Sequence, residues 1–138
     1  MNYAERLASC PCLNLRRASK VLTSLFNEQM KDSGVLITQL PVLGALKVDG
    51  ALPLTRLAKI LEMDRTTLSR NVNPMLKLGL LSQGPGLDRR NRILEITTKG
   101  AQALEKALPL WDGAQNKVKE LLGEEGLAVL LEKTKEIG

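Results

Sequence analysis

The sequence predicts a mainly α fold: a winged helix-turn-helix with a two-stranded β wing, flanked by N- and C-terminal dimerisation helices. Three observations predict it. Apolar residues recur at helical spacing along most of the 138 residues. Two short helical patterns lie back to back and are followed by two strand-like runs around a turn-rich tip. The charge is concentrated in that same stretch. Between Leu54 and Gly100 nine basic residues (Arg56, Lys59, Arg65, Arg70, Lys77, Arg89, Arg90, Arg92, Lys99) outnumber four acids (Glu62, Asp64, Asp88, Glu95), a surplus of +5 that equals the formal net charge of the whole chain. A localised basic surplus is the electrostatic footprint of a nucleic-acid-binding segment.

Composition narrows the class. Hydrophobic residues make up 43% of the chain, enough for a real core. There is one Trp, one Tyr and one Phe, so the core must be aliphatic, which suits helices. Scarce aromatics also argue against single-stranded nucleic acid as a partner, because base stacking needs several flat platforms. Histidine is absent, which removes serine-histidine and cysteine-histidine catalysis and every histidine-based metal site. No catalytic residue, metal or cofactor is expected. No apolar run is long enough to span a membrane, and Met1 to Arg17 lacks the pattern of a secretory signal, so a cytoplasmic location is expected.

The elements follow in order. Ala18, Val21, Leu22, Leu25 and Phe26 form the stripe of a first helix, which Gly34 stops. Thr38 is placed to cap a second, with Leu40, Leu43 and Leu46 on one face and Asp49-Gly50 at its end. Leu54 to Leu61 reads as a short helix facing inward through Leu54, Leu57, Ala58 and Leu61. Asp64 caps a helix from Arg65 to about Leu78, and Gly79 ends it. Leu80–Gly84 and Arg92–Thr97 are the two expected strands. Thr98 is the expected cap of a long helix whose seam is Leu104, Leu108, Trp111, Gln115, Val118 and Leu122, bent at Pro109. After Gly123, Leu127, Leu130, Leu131 and Ile137 form the stripe of a last helix, with Glu124 and Glu125 at its N-terminus. The expected organisation is one domain, 1–138: dimerisation helices at 1–50 and 98–138, and a DNA-binding lobe at 54–97.

The helix at 65–78 carries the chemistry. Leu68, Val72 and Met75 form its buried stripe, and Thr66, Arg70, Asn73 and Lys77 lie opposite, beside Arg65, Thr67 and Ser69. Hydroxyls, an amide and cations are the groups that contact phosphates and major-groove base edges. The expected wing adds Arg89, Arg90 and Arg92, and an arginine on a narrow hairpin can enter the minor groove. Asp88 is assigned to hold a neighbouring wing arginine through a charge-assisted hydrogen bond. Pro74 removes one backbone donor and is expected to bend the recognition helix after its groove-reading half.

Leu54-Thr55-Arg56-Leu57-Ala58, Asp64-Arg65-Thr66-Thr67-Leu68-Ser69-Arg70, Leu76-Lys77-Leu78-Gly79-Leu80-Leu81, and Asp88-Arg89-Arg90 leading to Ile96-Thr97-Thr98-Lys99-Gly100 resemble the MarR family of bacterial transcriptional regulators. The resemblance covers nearly the whole chain. It implies a homodimer formed by the terminal helices, with winged lobes on a palindromic double-stranded DNA operator and recognition helices about 34–36 Å apart. It places the family's wing arginine at Arg90, its aspartate at Asp88, and its recognition-helix contacts at Ser69 and Arg70. It also implies a repressor relieved by a small-molecule effector, with a pocket between the dimerisation helices and the winged lobe. Arg16, Arg17, Thr23 and Trp111 are near that region.

Cys10-Pro11-Cys12 admits two readings. Two cysteines without histidine cannot complete a zinc site, and at this spacing they bridge each other only with strain. They are either small residues ahead of the first helix or a redox pair activated by Arg16, Arg17 or a helix N-terminus. Two other functional classes fit less well. A pure protein-interaction module would be free to lose the basic face and wing, and an enzyme would need a nucleophile with a nearby base or a phosphate-binding loop.

Overall fold

A computed structural model of the chain describes residues 2–84 and 91–138. Helix α1 (Tyr3–Ala8) begins at a reciprocal cap: the Asn2 side chain accepts from the Glu5 amide, and the Glu5 carboxylate accepts from the Asn2 amide, each at 2.9 Å. Helix α2 (Pro11–Met30) follows, and a single 3-10 turn (Lys31–Ser33) closes on Gly34 at φ 73°. Helix α3 (Leu40–Asp49) ends at Gly50, φ 77°. Both glycines stand where a side chain is disfavoured, as the sequence predicts for helix stops.

The winged lobe comes next. A two-residue strand β1 (Leu52–Pro53) leads into α4 (Leu54–Ile60). The turn from α4 to α5 (Arg65–Lys77) includes Glu62 at φ 54°, the one non-glycine with positive φ among the described residues. Strands β2 (Leu81–Gly84) and β3 (Ile93–Ile96) pair antiparallel, with Leu81 opposite Ile96 and Gln83 opposite Leu94. Strand β1 pairs on the other side of β3, Leu52 opposite Leu94, so the sheet order is β1-β3-β2. The third strand is too short to show an alternating pattern, and Pro53 hides it further.

Helix α6 (Thr98–Ile137) runs back along the lobe and packs against α2, α3 and the 3-10 turn. The core lies where these meet. Met30, Val42, Leu43, Leu57, Leu68, Val72, Met75, Leu94 and Ala107 have no exposed surface. Burying each of the larger side chains contributes about 1.5–3 kcal/mol before entropy is counted.

Several expectations need correction. Thr38 does not cap α3: Gln39 holds that position, buried, with its Oε1 accepting from the Leu36 amide at 3.0 Å. The cap of α6 is Thr97, whose hydroxyl accepts from the Gly100 amide, and Thr98 is the first helical residue. Pro109 sits in helical geometry on the exposed side, and the break in α6 is at Gly123, φ 75° and ψ 164°. Within the single chain, α6 buries only part of the expected seam. Its buried positions are Leu104, Ala107, Ala114 and Val118, with Trp111 half-buried among them, whereas Leu108, Gln115 and Leu122 are exposed. Alanines let neighbouring elements approach closely, so a seam drawn through large residues alone misses them. In α2, Ala18 and Val21 likewise face outward.

Candidate nucleic-acid interface

Asp64 starts the recognition helix. Its carboxylate accepts from the Thr67 amide at 2.6 Å, and the Thr67 hydroxyl and amide, with the Arg70 charge, hold the Asp64 carboxyl below its ordinary pKa. From that cap, α5 divides cleanly. Leu68, Val72 and Met75 are fully buried. Arg65, Thr66, Thr67, Arg70, Asn73 and Lys77 are exposed and Ser69 is half-buried, so the face read from the sequence is presented as one surface. The helix continues through Pro74, which points to solvent, and the Leu78 amide donates to the Pro74 carbonyl at 3.0 Å.

Three anchors fix that face relative to the rest of the chain. None of the three was read from the sequence. The Asn71 side-chain amide donates to the Thr38 carbonyl at 2.6 Å, and the neighbouring Ile37 amide donates to Asn27 of α2 at 2.8 Å. One short loop thus links α2 to α5. The second anchor is at the other end of α5. Lys99 Nζ donates to the Leu78 carbonyl at 2.7 Å, the Thr97 hydroxyl donates to the Gly79 carbonyl at 2.6 Å, and the Thr97 amide donates to the Leu80 carbonyl at 3.1 Å. These occupy carbonyls just past the helix end and set a cation at its negative pole.

The third anchor is Arg92. Arg92 stands just before β3, not at the hairpin tip. Its Nη1 donates to Gln83 Oε1 of β2 at 3.1 Å and its Nη2 to Asn73 Oδ1 of α5 at 3.0 Å. At the lobe's edge, the Thr55 hydroxyl donates to Asn91 Oδ1 at 2.8 Å. Asp88, Arg89 and Arg90 lie outside the described residues.

Away from this face, an open apolar groove of about 390 Å³ runs between α2 and the end of α6, lined by Leu15, Leu22, Thr23, Phe26, Ile37 and Leu130 among others. Arg16 lines a shallower cleft beside it with Leu15, Ser19 and Lys20. Arg17 and Trp111 line neither. Cys10 caps α2 and is half-buried, and Cys12 is exposed; both are free thiols. Among the described residues no group of acids and cysteines is arranged to hold a metal, and no helix is long and apolar enough to cross a membrane.

Comparison with known proteins agrees with this geometry. Residues 33–91 match the model of the MarR family. The transcriptional regulator MosR of M. tuberculosis, solved in complex with DNA, is 31% identical over 94% of this chain and 98% of its own, with a TM-score of 0.73. The chain belongs to the MarR family. It is a DNA-binding transcriptional regulator, and the family is not one of enzymes. Two more distant MarR-type structures share the fold. A cysteine-to-serine mutant of E. coli MarR, complexed with operator DNA, is 21% identical over 89% of each chain (TM-score 0.76). Bordetella bronchiseptica BpsR, whose DNA binding is regulated by 6-hydroxynicotinic acid, is 21% identical over 95% of this chain and 96% of its own (TM-score 0.81). Among curated proteins, no sequence matches this chain. Within the family frame, the Thr-x-Lys-Gly run after the wing has a physical reading. Thr97 and Lys99 bind the end of α5, and Gly100 leaves room for the Leu80 carbonyl, which any Cβ at that position would strike.

Proposed function

We propose that this MarR-family regulator is a cytoplasmic homodimer that represses transcription by binding a palindromic double-stranded operator and releases it in response to a small-molecule or redox signal. The observation that carries this reading is the exposed face of α5, where Arg65, Thr66, Thr67, Ser69, Arg70, Asn73 and Lys77 form one polar and basic surface backed by a buried stripe. Arg70 and Ser69 supply base contacts, and Arg65, Thr66, Thr67, Asn73 and Lys77 the flanking contacts. Arg89 and Arg90 of the wing take the minor groove, and Asp88 holds one of them.

The division of labour within 1–138 follows. Residues 54–97 form the DNA-binding lobe, and 1–50 and 98–138 the dimerisation helices. Leu13, Leu15, Val21, Leu121, Leu122, Val129, Leu131 and Ile137 of the terminal helices are each more than 40% exposed in the single chain. A second copy of the chain removes that apolar surface from water. BpsR responds to a small aromatic acid, and the groove beside Thr23 and Ile37 offers such a molecule an apolar bed. Cys10 and Cys12, accessible at the start of α2, are the candidate redox pair.

The test is enrichment of duplexes from a random pool by the wild-type protein. The proposal expects a palindrome with half-sites about one helical turn apart. Recovery of unrelated sequences at background frequency overturns it. On the enriched duplex, Arg90→Ala is expected to weaken binding severely without altering the dimer.

A further inference from the structure

Arg92 occupies the joint between the wing and the recognition helix. Its two terminal nitrogens are engaged by acceptors on different elements, Gln83 of β2 and Asn73 of α5, and its Nε is buried with no partner among the described residues. Its backbone is fixed as well, because its carbonyl accepts from the Leu54 amide at 2.9 Å. A planar guanidinium can bridge two such acceptors in a set geometry, and an ammonium cannot. The direction of these hydrogen bonds has a consequence. Arginine offers donors only, so Asn73 must turn its Oδ1 inward to Arg92. Its Nδ2 donors are then left for whatever lies against the exposed face. Bidentate reading of adenine requires Oδ1 and Nδ2 together, whereas a donor alone suits N7 and O6 of guanine, O4 of thymine or a phosphate oxygen.

We propose that Arg92 is a positioning and specificity-determining residue: it sets the wing against α5 and locks Asn73 with its amide donors toward DNA. This rests on α5 being the DNA-reading face. Arg92 therefore acts through Asn73 and Gln83 and does not add a phosphate contact of its own.

The test uses the full-length protein, the duplex it enriches from a random pool, and a salt series of binding isotherms. Variants are Arg92→Lys, Arg92→Ala, Gln83→Ala and the Gln83→Ala/Arg92→Ala pair. Arg92→Lys keeps the charge and is expected to bind about tenfold more weakly, as Arg92→Ala does, with the slope of log affinity against log salt unchanged. The pair should be no weaker than Arg92→Ala alone. Repeating the selection with Arg92→Lys should relax base preference at one position in each half-site. The proposal is overturned if Arg92→Lys binds like wild type while Arg92→Ala lowers the salt slope by about one, the signature of a lost phosphate contact. A readout without DNA separates the tether from the DNA-binding reading. In the free protein, the side-chain amide resonances of Asn73 and Gln83 must both shift in Arg92→Lys, and unmoved resonances overturn the tether. If those resonances shift but wild type enriches no duplex, it is the DNA-binding reading that fails, and Arg92's role in specificity falls with it.

Discussion

Lys99 Nζ donates to the backbone carbonyl of Leu78 at 2.7 Å, joining the first turn of α6 to the end of the recognition helix. Helices α6 and α5 are therefore not independent bodies. The same loop that ties α2 to α5 through Ile37 and Thr38 borders the apolar groove.

Gly100→Ala tests how tight that junction is. The added methyl strikes the Leu80 carbonyl oxygen and lies 2.9 Å from Ile96 Cγ1, so backbone must move. A loss of about 1–3 kcal/mol is expected, read as a lowered urea midpoint. Lys99→Met keeps the stem but removes the cation, and should cost less, about 0.3–1 kcal/mol.

The cap of α5 makes a pH prediction. Hydrogen bonds from Thr67 depress the Asp64 pKa in the folded state. A depressed carboxylate contributes stability that is fully present above its unfolded pKa and is lost as pH falls through its lower folded value. Thermal melts should show that loss below roughly pH 4. Asp64→Asn retains an acceptor for the Thr67 amide but cannot titrate, so this part of the pH dependence should vanish while the helix persists.

Core and surface leucines should separate folding from assembly. Leu68 is fully buried, and Leu68→Ala is expected to cost about 2–5 kcal/mol in chemical denaturation. Leu131 is 52% exposed in the single chain. Leu131→Lys should leave the helical circular dichroism spectrum unchanged and shift sedimentation toward the monomer.

The cysteine pair has a direct check. If Cys10 and Cys12 sense oxidants, peroxide weakens operator binding by the wild type and leaves a Cys10→Ser, Cys12→Ser double mutant unaffected. An identical response from both proteins removes the pair from the mechanism.

Much of this was legible in the residues. The Asp64 cap, the stripe through Leu68, Val72 and Met75, and the glycine stops at 34, 50 and 79 follow from local chemistry that needs no knowledge of the rest of the chain. The misses share a cause. Asn71 bonding Thr38, Lys99 bonding Leu78, and Arg92 bridging Gln83 to Asn73 join residues 33, 21 and 9 to 19 positions apart, and periodicity carries no record of such partners. Arg92 shows the point best. Its charge and its place beside the hairpin are plain in the sequence, but its hydrogen bonds to Gln83 and Asn73 are not. The part of α6 buried within the chain was hidden because Ala107 and Ala114 pack closely without looking like a core.

The central claim is that the exposed face of α5 reads DNA sequence. The most direct measurement is the ratio of affinities for the enriched duplex and a scrambled one of the same length, at fixed salt, for wild type, Ser69→Ala and Arg70→Ala. The account predicts that the ratio falls at least tenfold in Arg70→Ala, and less in Ser69→Ala, with thermal stability and dimer unchanged. A ratio equal to wild type in both variants would contradict it.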